Sequence, residues 1–273
     1  MHNVAQSKHL PKLDRISILA ATILLIYILA RFINFPALEY FIPFPGAYLS
    51  FDLDINTIVA IFVIGLTSSG VDWLLREHPA LEGRLTIQHW LLPTLTAWAI
   101  GVALIQQPLD ALWWIGFALG SSILILVVIA EYVTVDPADI RRLPASMALT
   151  AVAFALFFIL VVMVRARGMR LFLIVPTITF AAGLVSLRVL HLQMGGSWAF
   201  IPTAVITLIT GQITAAIYYL PISPSAFALS LVGLAYALTN LAAGILGEKT
   251  WQQLIFEPIL VLVITWGIAL FLL

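Results

Sequence analysis

The sequence predicts an all-α, polytopic transmembrane helix bundle of about nine spans, with eight as the alternative. Three observations carry that expectation. Hydrophobic residues make up 62% of the chain and charged residues 10%, against about 25% charged in a soluble domain, so too few charges remain to cover a water-facing surface. The mean hydropathy is +1.10. The apolar residues are gathered in runs of about 20, the length a helix needs to cross a hydrocarbon core. The shorter alternating segments of an outer-membrane barrel are missing. The whole chain, residues 1–273, therefore reads as a single integral membrane domain.

The first run, Ile16–Ile33, follows a polar segment with Lys8, Lys12 and Arg15. It is long for the apolar part of a signal peptide and ends without a small-residue cleavage site. It reads as a retained span preceded by a cytoplasmic tail, residues 1–15. Residues 34–54 hold Phe35, Tyr40, Phe41, Phe44, Tyr48 and Phe51, broken by Pro36, Pro43 and Pro45. The prolines forbid a continuous helix and the aromatics suit the headgroup level, so an outer interfacial hairpin is expected. Its alternative role is as a lid or a docking surface for a partner.

Seven further runs are Ile55–Leu75, His89–Ile105, Leu109–Val133, Leu143–Val164, Met169–Leu190, Ser197–Leu220 and Ala226–Leu246, and Leu254–Leu273 is the ninth span. Apart from residues 34–54 and 76–88 the connections are short, which favours antiparallel neighbours. With the N-terminus cytoplasmic, the inner side collects Lys8, Lys12, Arg15, Arg76, Arg84, Arg141, Arg142, Arg188 and Lys249, and the outer side Arg31, Arg165, Arg167 and Arg170. That asymmetry favours the N-in orientation in a bacterial-type inner membrane. A re-entrant Leu143–Val164 would move the Arg165 cluster inside and give eight spans. Its uncharged length argues for a full crossing, because a re-entrant backbone at that depth needs shielding.

Ionisable residues inside spans are costly, and each needs an account. In this orientation Asp72, Glu131, Arg188 and His191 end their spans at the inner face, where His89 and Trp90 open the third. Arg188 and His191 are spaced i, i+3 on one helix face. They suit an anion or headgroup site, with a packing salt bridge as the plain alternative. Asp72 has a local partner in Arg76 at i+4. Glu257 precedes Pro258, which has no amide for the Leu254 carbonyl. It is either an ion-binding carboxylate or a residue of the first helical turn, where negative charge is favourable. Gln212 and Asn240 lie deep in their spans and suit interhelical hydrogen bonds.

Familiar catalytic patterns are incomplete. Thr67-Ser68-Ser69-Gly70 departs from the Gly-x-Ser-Gly nucleophile of intramembrane serine proteases at its first position. Glu131 to Asp139 is a faint echo of one of the two Asp-rich motifs of the prenyltransferase families, and the second motif is missing. No His-Glu-x-x-His or Walker pattern is present. The candidates for a haem pair between spans are His89 and His191, and both lie near the inner face. The chain has no cysteine, so it forms no disulfide and has no thiol nucleophile. Without a basic stripe, nucleic acid is not an expected partner.

Three functions are left. The first is a small transporter or permease-like protein using Glu257, Arg188, His191, Asp72, Glu131, Gln212 and Asn240 for substrate or ions. The others are an accessory subunit of a larger membrane complex and an intramembrane lipid-processing enzyme. Membrane lipids, and on the second reading other membrane subunits, are the expected partners. No catalytic residue, metal site or cofactor is assigned, and the chain leans away from being an enzyme.

Overall fold

The computed structural model describes residues 13–33, 38–44, 47–53, 55–81, 86–247 and 251–272. Within them nine helices follow the apolar runs: α1 (Leu13–Phe32), α2 (Ile55–Leu75), α3 (Leu91–Gln106), α4 (Ala111–Thr134), α5 (Arg142–Ala166), α6 (Leu171–Gln193), α7 (Phe200–Ile217), α8 (Pro224–Leu246) and α9 (Trp251–Phe271). Nine helices among the described residues are long and apolar enough to cross a membrane. The fifth run is one uninterrupted helix of 25 residues, which favours nine spans over the re-entrant alternative.

Local chemistry sets several helix ends. Asp110 caps α4 by accepting from the Trp113 amide at 3.0 Å. Ser223 caps α8, accepting from the Ala226 amide at 3.2 Å, and Pro224 follows at the position where a missing amide costs nothing. After α6, Gly195 and Gly196 have φ of 65° and 105°, backbone that other residues rarely adopt. The Gly196 amide returns to the His191 carbonyl at 3.0 Å, closing the helix end. Pro176 lies inside α6 and provides no amide hydrogen for the Phe172 carbonyl.

Antiparallel neighbours give the bundle two faces. Arg15 at the start of α1 pairs with Glu77 just past α2, while Arg31 at the end of α1 reaches the Gln107 carbonyl past α3 at 3.0 Å. The near face holds the starts of α1, α3, α5, α7 and α9 and the ends of α2, α4, α6 and α8. At the far face Arg165 donates to the Leu220 carbonyl at 3.2 Å and Ser223 to the Leu272 carbonyl at 3.0 Å. The connection from α1 to α2 belongs to the far face. It contains an antiparallel hairpin of β1 (Leu38–Phe44) and β2 (Ala47–Leu53), in register from Leu38 opposite Leu53 to Phe44 opposite Ala47. Of the aromatic loop expected over residues 34–54, positions 34–37, 45–46 and 54 lie outside the described residues. So do residues 1–12 of the expected tail, Arg84 and Lys249.

The apolar interior consists mainly of two packed halves, with a smaller cluster of Leu190, Ala199 and Ile206 between α6 and α7. One joins α1, α2 and α4 through Ile23, Val63, Leu75, Trp113 and Leu124. The other joins α5, α6 and α8 through Phe157, Leu160, Ile178, Val185 and Phe227. α3 contributes to both, with Ile100 and Leu104 in the first and Leu92 and Leu95 in the second. α3, α5 and α6 are the most buried spans and α9 the least. Small residues let α6 and α7 approach closely: a Cβ on Gly211 would lie 2.7 Å from Thr179 Oγ1. On α7, Thr203, Thr210 and Thr214 are buried and donate to carbonyls one turn back at 2.7–2.8 Å, so their hydroxyls are satisfied within the helix.

Candidate functional site

The last turn of α4, the last turns of α6 and the turn before α3 meet at the near face, and each brings a polar side chain. Glu131 is 0% exposed and Arg188 1%. Arg188 Nε donates to Glu131 Oε1 at 3.0 Å, and its Nη2 donates to Glu131 Oε2 in the second arm of a bidentate pair. His89, in the short 3₁₀ turn Ile87–His89, places Nδ1 2.8 Å from Glu131 Oε2. The same nitrogen lies 3.2 Å from Arg188 Nη2. A proton on Nδ1 lets His89 donate to the carboxylate, whose acceptor oxygens match two donors better than one. The approach to Arg188 is then a contact between donors. Thr134 Oγ1 donates to the Glu131 carbonyl at 2.9 Å.

This cluster bridges the two packed halves, since α4 belongs chiefly to one and α6 to the other. Two opposite charges cancel where water is excluded, and the bidentate geometry offsets part of their desolvation. Breaking one partner leaves the other buried and uncompensated.

A cavity of about 520 Å³ opens beside the pair at the near face, within the size range of small-molecule sites. His89, Thr134, Arg142, Arg188, His191 and Gln193 are among its lining residues. His191 is buried on α6, with its ring 4.8 Å from that of Trp198, and its Nδ1 has no hydrogen-bond partner among the described residues. Arg142 is half-buried at the start of α5, and among the described residues its guanidinium has no ion-pair or hydrogen-bond partner. Asp139 also lines the cavity. Arg141 neutralises it, with Nη2 2.7 Å from Oδ2, and holds its carboxyl below the usual carboxylate range through those hydrogen bonds. The lining is therefore positive on balance and, among the described residues, keeps unspent donors at Arg142 and an unpartnered ring nitrogen at His191.

Of the residues expected to form a site, the fold brings together Glu131, Arg188 and His191. Asp72 takes the local option: it accepts from Arg76 Nε at 2.7 Å and from the Thr86 hydroxyl, and is not among the residues lining the cavity. Asn240 accepts from Gln193 Nε2 at 3.1 Å, so it touches the cavity wall only through a neighbour. Glu257 is the seventh residue of α9, past its first turn, at an exposed position. It accepts from the Tyr236 hydroxyl at 2.9 Å. Gln212 sits next to the buried Gly211 but about 100° around the helix, on the exposed side of α7. The buried side of α7 is taken by its threonines and Ile206, so Gln212 makes no described interhelical bond.

His89 and Arg142 belong to the site and were not among the expected site residues. His89 had a signal, since it opens its span at the level where Glu131 and Arg188 end theirs. Arg142 had none beyond its place beside a span end, where arginine ordinarily faces headgroups.

The profile of a family described as protein of unknown function, DUF5656, matches residues 35–272. The chain belongs to that family. No curated protein matches the chain, and no solved structure matches it either.

Proposed function

We propose that this DUF5656 member is a transporter-like membrane protein that binds an anionic solute in the near-face cavity. The observation that carries the reading is the position of Arg188. It is buried, it holds the two packed halves together through Glu131, and it lines a cavity on whose wall Arg142 has no partner among the described residues. An anion entering that cavity meets Arg142 first and then competes with Glu131 for Arg188. Occupancy is thereby coupled to the contact between α4 and α6, the coupling that transport of a bound solute requires. The distribution of Lys and Arg supports placing the near face, with the N-terminus, in the cytoplasm and the protein in a bacterial-type inner membrane.

The test is thermal unfolding of the purified protein in detergent with phosphate, sulfate, acetate or chloride as the sodium salt, followed by uptake of the best anion into proteoliposomes. Stabilisation by one anion class that disappears in Arg142→Gln, together with uptake, is the expected result. Equal response to every anion at matched ionic strength, unaltered in Arg142→Gln, overturns the reading.

A second reading, an accessory subunit, is favoured by Gln212 and Glu257, which lie at exposed positions on apolar spans. Polar groups facing hydrocarbon are expensive, and a partner helix would satisfy Gln212 and the acceptor capacity of Glu257 that Tyr236 leaves over. Native mass spectrometry of the protein gently extracted from its own membrane distinguishes the two: a stoichiometric companion polypeptide supports a subunit, and a lone chain argues against it.

A further inference from the structure

The mouth of the cavity has a chemistry its floor does not share. Ile140, 74% exposed, and Leu143, 66% exposed, both line the cavity, and Met147 continues the exposed apolar face of α5 one turn beyond Leu143. Inside are Arg142, Arg188 and His191, together with the Thr134 and Ser146 side chains. The site lies at the level where α4 and α6 end and α5 begins, which is the headgroup level of one leaflet. An anion arriving from water gains nothing from branched aliphatic side chains at the entrance. A molecule with a charged head and hydrocarbon tails gains from both parts.

We propose that the occupant is the phosphate head of an anionic phospholipid, admitted from the bilayer past the exposed side chains of Ile140 and Leu143. This rests on the anion reading above and specifies its substrate class. The guanidinium of Arg142 takes the phosphate oxygens, planar donors against tetrahedral acceptors. His191 Nδ1, buried and without a partner among the described residues, offers one further hydrogen-bonding atom deeper in. Asp139 does not oppose the charge, because Arg141 already compensates it. The acyl chains lie along Leu143 and Met147, outside the cavity, where they replace other lipid tails at no cost. The shared chemistry is a phosphate, and its two sources are a lipid and a free ion.

The experiment uses the full chain, delipidated in detergent. Phosphatidylglycerol and phosphatidylcholine of identical acyl composition are added separately, with retention read by native mass spectrometry. Inorganic phosphate is tested by its effect on the melting temperature. Phosphatidylglycerol is expected to stay bound at one per chain, at least tenfold over phosphatidylcholine. Arg142→Gln should reduce that retention at least tenfold, and Arg142→Lys should restore part of it. The mouth variants Ile140→Asn and Leu143→Asn should weaken phosphatidylglycerol retention and leave the response to inorganic phosphate unchanged. If phosphate stabilises through Arg142 while phosphatidylglycerol is retained no better than phosphatidylcholine, the lipid assignment is wrong and the anion reading stands. If neither ligand depends on Arg142, both are wrong. All variants face the cavity mouth or its wall, away from the buried pair, and gel filtration shows whether each is folded.

Discussion

Glu131 and Arg188 are 57 positions apart in sequence and meet in a bidentate pair, with Nε 3.0 Å from Oε1 and Nη2 on Oε2. Both are fully buried, and they lie on helices that belong to different packed halves. Removing one partner leaves a charge without water or counterion. Glu131→Gln and Arg188→Gln are each expected to destabilise by about 3–5 kcal/mol, and the double variant by much less than the sum. Denaturant unfolding in detergent, arranged as a double-mutant cycle, measures this. Additive single effects would mean that the pair does not hold the halves together.

His89 supplies the third contact to the carboxylate, at 2.8 Å. His89→Phe keeps the bulk and loses the donor, with an expected cost of about 1–3 kcal/mol. His89→Asn, which keeps a donor of shorter reach, should cost less. The same unfolding assay ranks them, and equal losses would assign His89 a packing role only.

Close helix approach makes a separate prediction. A Cβ added at Gly233 would overlap Thr265 across the α8–α9 contact, whereas one at Gly65 meets nothing within 4 Å. Gly233→Val is expected to destabilise by about 1–3 kcal/mol through overpacking, and Gly65→Val to do so by far less. Comparing melting temperatures of the two variants checks it.

The Asp139–Arg141 pair gives a pH dependence of known sign. Arg141 hydrogen bonds lower the Asp139 carboxyl from its ordinary 3.8. The stabilisation is therefore complete above that value and is lost as pH falls through the lowered one. Wild type minus Asp139→Asn should show a constant difference from pH 7 down to about pH 4, closing at lower pH. Arg141 is 37% exposed and solvent screens the pair, so the difference should stay under about 1 kcal/mol. A difference that grows on acidification would contradict the assignment.

The spans were legible because each is an apolar run whose length matches a bilayer, a signal that needs no knowledge of neighbours. Convergence of Glu131, Arg188 and His191 on one level was legible for the same reason, since depth follows from position along a span. Rotation about the helix axis was not. α7 carries Thr203, Thr207, Thr210 and Thr214 along one face and Gln212 on another, and polarity alone does not say which of them packs inward and which turns out. Nor could sequence decide between Asp72 and Glu131 as the partner of Arg188. Asp72 carries its own arginine at i+4, and the final pairing depends on how α4 and α6 seat against α3 and α5. The hairpin fitted the prolines and aromatics of its loop, but its register comes from backbone pairing that composition does not encode.

Pro176 has a mechanical consequence for α6. It stands twelve residues before Arg188 on the same helix, about 18 Å along the axis at 1.5 Å per residue. Proline is where a helix bends most readily, and here the pivot is far from the load. A swing of about 5° at Pro176 carries the guanidinium sideways by about 1.6 Å, enough to part it from the carboxylate of Glu131. In such a swing the segment from Pro176 to Gln193 would act as a lever arm, and the turn through Gly195 and Gly196 at its tip would be the backbone that follows it.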